Sequence, residues 1–179
     1  MSILAKAFYK LRGKPVPYYA DYPLWLLLWK PFRKFLNVVV IPCIPFNCLR
    51  IILYRLIGFK IGRNVFIGMR CYLDDIDPSK TIIEDNVGIS YGCYFAVHGK
   101  GQGLMNIVIR ESTYVGMRAI LVSGKNGIVI GRNCIISAGA LVHQSIPDGY
   151  TVAAMPGRAM APTRNEPPQT ALDTSVKED

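Results

Sequence analysis

Acidic side chains are scarce at one end of this chain, and histidines are scarce throughout. Residues 1–63 hold a single acid, Asp21, against eleven Lys and Arg. Two histidines, His98 and His143, are all that the 179 residues offer for imidazole chemistry. The five cysteines are odd in number and none forms a Cys-x-x-Cys pair, which excludes a disulfide framework and a cysteine zinc site. They read as reduced structural thiols of a cytosolic protein. Long apolar runs are also missing. A charge-free stretch over residues 35–49 is 15 residues long and contains Pro42 and Pro45, short of the ~20 a spanning helix needs. Lys6, Lys10, Arg12 and Lys14 punctuate the N-terminus, and no small-residue cleavage site follows, so a secretory signal is not expected. No nucleic-acid-binding motif accompanies the basic charge, so nucleic acid is not an expected partner.

What remains is one domain's worth of chain, 19.9 kDa, with 51% hydrophobic residues, a mean hydropathy of +0.25 and a net charge of +9. That apolarity excludes disorder for the bulk of the sequence. The charge is uneven: residues 1–63 carry a net +10, whereas the remaining 116 residues carry ten basic and eleven acidic side chains. The basic third is also the most apolar, with Trp25-Leu26-Leu27-Leu28-Trp29, Val38-Val39-Val40-Ile41 and Ile51-Ile52-Leu53. Two amphipathic helices are expected there. Over residues 3–12, Leu4, Phe8 and Leu11 share a face; over 48–57, Leu49, Ile52, Leu53 and Leu56 do, with Arg50 and Arg55 off it. Residues 1–56 therefore read as a helical, apolar and basic extension. It suits an anionic membrane surface, or packing on the rest of the protein or a neighbouring subunit.

From Ile61 a period of six sets in. Aliphatic or aromatic residues lead the units: Ile61, Ile67, Leu73; Ile83, Ile89, Phe95; Ile109, Val115, Leu121; Ile130, Ile136, Val142. Four residues after most leads stands a small or β-branched residue: Val65, Cys71, Val87, Cys93, Thr113, Ala119, Cys134 and Ala140. Just after the lead comes Gly or another small residue, as in Gly62, Gly68, Ser90, Gly116, Gly131 and Ser137. Neither a helix (period 3.6) nor an amphipathic strand (period 2) has this spacing. It predicts a mainly β fold, a parallel β-helix of about four coils. Each coil has three short faces, with leads and small residues pointing inward and small residues easing the corners. Three breaks interrupt the period: residues 74–82, the Gly-rich 98–106 and a bulge over 124–128. Loops on a rigid scaffold are where function concentrates. A polar tail over 161–179, with Pro167-Pro168, is expected to be disordered.

The pattern of Ile/Leu/Val, Gly and small residues, with its Pro-x-Arg close, resembles the hexapeptide-repeat acyltransferases over roughly residues 57–160. Ile83-Glu84-Asp85-Asn86-Val87-Gly88-Ile89 resembles the coil before that family's active-site loop. Ile136-Ser137-Ala138-Gly139-Ala140-Leu141-Val142 resembles its Ile-Gly-Ala-Gly-Ser-x-Val run. Ile146-Pro147 through Arg158 resembles its closing element, with Ala154 where Gly is common and Gly157 where Ala is common. The basic, aromatic leader is similar to that of bacterial exopolysaccharide acetyltransferases of the colanic-acid type. The resemblance implies a left-handed helix, a homotrimer with sites between subunits, acetyl-CoA as co-substrate and no metal.

It also implies residue roles. His98 opens the Gly-rich break beside the family's catalytic His position and would be the general base. Asp74 and Asp75 fill the first break, where the family carries acceptor-facing carboxylates. Either would orient His98 or bind sugar hydroxyls, or both form a solvated acidic turn. Gly116, Met117, Ala138, His143, Gln144 and Arg158 align with coenzyme contacts. A serine acetyltransferase carries two active-site histidines, and Asp75 and Asn106 stand at those places here. A γ-class carbonic anhydrase needs three His per zinc, more than this chain has. The expected function is O-acetylation of a sugar hydroxyl in a bacterial surface-polysaccharide precursor, lipid-linked or free, at the inner face of the cytoplasmic membrane. The alternatives are a small soluble acceptor, such as an antibiotic or free sugar, and a non-catalytic β-helix assembly module.

Overall fold

The computed structural model describes residue 11, residues 24–99 and residues 103–154. The helix expected over 3–12, apart from Leu11, the tail over 161–179 and Arg158 lie outside these residues.

The hexad repeat folds into a parallel β-solenoid. One face stacks β1 (Lys60–Ile61), β3 (Thr81–Ile83), β8 (Ile107–Ile109) and β11 (Ile128–Ile130). The second stacks β2 (Phe66–Ile67), β4 (Gly88–Ile89), β9 (Tyr114–Val115), β12 (Ile135–Ile136) and β14 (Thr151–Val152). The third stacks β5 (Tyr94–Ala96), β10 (Ile120–Val122) and β13 (Leu141–Val142), with Tyr72 bridging to Tyr94 as its first rung. The leads align in register: Ile61, Ile83, Ile109 and Ile130 on one face; Ile67, Ile89, Val115 and Ile136 on the next; Phe95, Leu121 and Val142 on the third. All leads but Ile61 are buried, and so are all eight of the small inward residues. Cys71, Cys93 and Cys134 occupy that narrow interior, and their thiols donate to carbonyl oxygens such as those of Ser90, Gly116 and Pro147. Cys43 and Cys48 are exposed.

The corners are built differently from the expectation. The bend falls three residues after the lead, where Asn64, Arg70, Asn86, Ser112, Arg118 and Asn133 take φ of 51–59° and Gly92 and Gly139 take 71°. Asn reaches this left-handed region at low cost, whereas Arg and Ser hold it under constraint from the ladder. The glycines just after the leads serve close approach instead. A Cβ on Gly68 would sit 2.6 Å from the Ser90 backbone of the next coil, and one on Gly116 would sit 2.5 Å from the Ala138 nitrogen. The third corner has no such repeat. It follows Leu73, Phe95 and Leu121, and all three period breaks leave the solenoid there.

The segment before the solenoid closes its open end. It runs through α1 (Leu24–Phe35, with Pro31 inside), a π turn over Leu36–Val40, a 3-10 turn over Ile41–Cys43 and α2 (Asn47–Leu56). The first coil has no earlier coil to supply donors to its outer carbonyls, and buried unpaired carbonyls are costly. Side chains supply the donors. Asn47 donates to the Val65 carbonyl at 2.9 Å and accepts from the Ile67 N–H at 3.0 Å. Arg50 gives Nε and a terminal nitrogen to the Ile67 carbonyl, at 3.0 and 2.6 Å, and its other terminal nitrogen to Ile44. Arg55 donates to Ile61 and Gly62, Asn37 to Leu73 at 2.6 Å, and Tyr54 to Cys71 at 3.4 Å.

This inverts the face expected for α2. Arg50, Ile51 and Tyr54 are buried, while Leu49, Ile52 and Leu56 are exposed. The polar edge of the sheet, not apolar burial, decides which side of the helix turns inward. Arg50→Met would take the side-chain donors from the buried Ile67 carbonyl and the partly buried Ile44 carbonyl. It should lower unfolding stability by about 3 kcal/mol, read from urea denaturation.

Candidate active site

The third corner gathers chemistry from successive coils. Leu73 ends the first coil's third face, and Asp74 follows it with no exposure to solvent. Its Oδ1 accepts the Ile76 N–H at 3.1 Å, and its Oδ2 accepts the Val97 N–H at 3.0 Å. The same Oδ2 meets Nδ1 of His98, a side chain 45% exposed. His98 itself sits on β6 (His98–Gly99), which pairs antiparallel with β7 (Gly103–Leu104), so strand pairing fixes its backbone. A carboxylate accepting from two backbone N–H groups stays an acceptor, so Nδ1 carries the proton and Nε2 carries the free lone pair. A buried carboxylate holding one nitrogen of a half-exposed imidazole is an arrangement that can orient a general base.

Asp75 is buried as well, so the two carboxylates do not form a solvated turn. Its Oδ1 accepts the Tyr72 hydroxyl at 3.2 Å, and its backbone carbonyl accepts from Arg33 of α1 at 2.6 Å. Burial, helped by the charges of Asp74 and Asp75, pushes the Tyr72 hydroxyl above its ordinary pKa, so it remains a donor. The Tyr72 ring stacks on Tyr94 with centroids 4.7 Å apart. Tyr72 and Arg33 were not expected from sequence. Tyr72 immediately precedes a lead, a position that reads only as an outward strand residue, and nothing in the sequence ties Arg33 to a loop over forty residues away.

The residues aligned with coenzyme contacts divide between two corners. Gly116, Met117 and Ala138 precede the third face. There Met117 is exposed, its carbonyl accepts the Gly139 N–H, and Gly116 packs on Ala138. His143 and Gln144 follow that face. They line a cleft of about 250 Å³ with Ser123, Lys125, Asn126 and Ser145. Lys125, which sequence reasoning passed over, supplies a cation beside Gln144, and the buried Ser123 hydroxyl has no partner among the described residues. Within one chain the two sets lie at opposite edges of the third face. Among the described residues, no group of three or more His, Cys, Asp and Glu comes together as a metal site.

No protein-family model matches the chain. It is 25% identical over 133 residues to YvoF of Bacillus subtilis, a proposed acetyltransferase, covering 72% of this chain and 76% of that one. It is 28% identical over 114 residues to the serine acetyltransferase of Salmonella typhimurium, covering 64% of this chain but only 40% of the relative. The fold superposes with a TM-score of 0.58 on a hexapeptide-repeat-containing acetyltransferase of Vibrio cholerae solved with acetyl coenzyme A, at 21% identity, covering 88% of this chain and 96% of that one. The chain shares the β-solenoid fold of that hexapeptide-repeat-containing acetyltransferase. In this hexapeptide-repeat protein the repeat thus sets both the fold and the corner at which Asp74 meets His98.

The Asp74–His98 pair has a spectroscopic consequence. Long-range ¹H–¹⁵N correlation at neutral pH should show His98 as the Nδ1–H tautomer. Asp74→Ala should move it toward the Nε2–H form that free imidazoles prefer, and an unchanged tautomer would remove Asp74 as the orienting group.

Proposed function

We propose that this protein transfers an acetyl group from acetyl-CoA to a hydroxyl of a saccharide acceptor, a surface-polysaccharide precursor, with His98 as general base. The observation that carries the reading is the buried Asp74 carboxylate on Nδ1 of an accessible His98. In the reaction, the acceptor oxygen attacks the thioester carbonyl while Nε2 takes its proton. The tetrahedral oxyanion collapses, the thiolate leaves with a proton returned by the imidazolium, and an O-acetyl ester remains. No enzyme-bound acyl intermediate is needed.

The Gly116–Ala138 corner has no side-chain bulk beyond Cβ, which leaves room for an extended pantetheine beside Met117. Lys125, with His143 and Gln144, offers donors for coenzyme phosphates, and Arg158 would join them. The two sets would meet across subunits of a homotrimer. The second and third faces support this with outward ladders of Phe66, Tyr114 and Ile135, and of Tyr94, Ile120 and Leu141, all exposed in the single chain. At the other end, Trp29, Phe32 and Phe35 of α1 are exposed beside Lys30 and Lys34. That combination supports peripheral contact with an anionic membrane at its cytoplasmic face. No helix among the described residues is long and apolar enough to cross a membrane.

The match to serine acetyltransferases favours a second reading, a small soluble acceptor. A screen of acetyl-CoA consumption against nucleotide sugars, lipid-linked oligosaccharides and small alcohols separates the two. His98→Ala should keep acetyl-CoA binding and lower turnover by roughly 10²–10⁴-fold, read by thiol release. Near-normal turnover would eliminate the base assignment. Ile135→Glu should convert the trimer to monomer in sedimentation and abolish transfer, since neither corner alone holds a complete site.

A further inference from the structure

A second cleft, of about 280 Å³, opens beside the catalytic pair. It is lined by Lys30, Pro31, Arg33 and Lys34 of α1 and by Asp75 and Ile76 of the first break. Lys30, Arg33 and Lys34 share this lining with the Asp75 side chain. That carboxylate is already engaged by the Tyr72 hydroxyl, and Arg33 spends a terminal nitrogen on the Asp75 carbonyl. The Arg33 Nε hydrogen is buried and has no acceptor among the described residues. A guanidinium beside two ammonium groups is a donor set that recognises phosphate oxygens.

The cleft is joined to the reaction corner through one loop. Ile76, in the cleft wall, donates its N–H to Oδ1 of Asp74, whose Oδ2 holds His98. A ligand anchored at the cations would therefore lie along the loop that leads to the general base, with the stacked Tyr72 and Tyr94 rings on the same side of the first two coils. Building on the acetyl-transfer reading, we infer that this cleft binds the phosphate or pyrophosphate of the acceptor. The substrate class is a glycosyl phosphate, with the anion held at Lys30, Arg33 and Lys34 and the sugar directed toward His98. Helix-terminal cations by themselves would merely complement the α1 dipole. The cleft between helix and loop, the grouping of its cations and the shared loop are what point to a ligand.

The test reads binding without acetyl-CoA, so it stands apart from the fate of the transfer reaction. Calorimetric titrations of the full-length protein would use inorganic pyrophosphate, UDP-glucose and free glucose, and vesicles of phosphatidylglycerol in phosphatidylcholine would be tested by co-sedimentation. Pyrophosphate and UDP-glucose should bind, with affinity falling as salt rises, and free glucose should bind far more weakly. The double variant Lys30→Ala/Lys34→Ala, checked for an unchanged circular dichroism spectrum, should raise both dissociation constants roughly tenfold or more. If the variant disturbs folding, Lys34→Gln alone serves and should still weaken both. Absence of pyrophosphate and UDP-glucose binding to the wild type, or equal binding by the variant, would overturn the inference. Vesicle binding lost in the variant with no pyrophosphate binding would assign these cations to membrane lipid instead.

Discussion

The open end of a parallel solenoid is the constraint on which this molecule depends. Every interior coil exchanges N–H and carbonyl groups with the coil on either side of it. The first coil has one of those neighbours missing. The chain makes up the missing half with side chains rather than with another strand: Asn47 acts in both directions at Val65 and Ile67, and Arg50 places two donors on the Ile67 carbonyl. Arg55 and Asn37 extend the same device to Ile61, Gly62 and Leu73. That is why a guanidinium lies fully buried against an otherwise aliphatic stack. It also explains why the helix preceding the stack cannot be read as an independent amphipathic unit.

The same edge fixes the corner that carries Asp74 and His98. Asn37 on the Leu73 carbonyl and Arg33 on the Asp75 carbonyl hold both sides of the loop that carries Asp74. The next coil then brings Val97 and His98 to the Asp74 carboxylate because Tyr72 and Tyr94 pair in parallel register. The pair is therefore a product of coil stacking, not of local sequence. Twenty-four residues separate its members, and only the repeat, with its first break, makes that separation a contact.

How much of this was legible follows from what periodicity can encode. The leads and the small inward residues are fixed by a repeating apolar environment, so each of the eight small residues, from Val65 to Ala140, lies where the hexad put it. His98 with Asp74 was legible because a break in the period marks a departure from the scaffold, and chemistry-bearing residues are few. The corner geometry was legible only in part. A glycine after a lead signals steric demand, but the sequence does not distinguish a bend from close approach, and the bend proper falls on Asn, Arg and Ser. The orientation of α2 was not legible. The spacing of apolar side chains tells which face a helix would bury against other apolar groups, whereas here the helix meets a row of carbonyls. Leu49, Ile52 and Leu56 are outside because Arg50 has to be inside.

The basic excess of the first third, read as one property, divides by side-chain type. Arg50 and Arg55, and Arg33 through one arm, donate to carbonyl oxygens at the solenoid edge. A planar fork with several fixed donors suits carbonyls that sit at set spacings, and an ammonium would satisfy them less well. Lys30 and Lys34 instead line the cleft beside Asp75. Net charge therefore describes this segment incompletely, because these guanidiniums, with Arg50 fully buried, are held by neutral carbonyls and serve the fold first. Arg33 links the two uses. One of its nitrogens holds the Asp75 carbonyl, and its side chain also lines the cleft shared with Lys30 and Lys34.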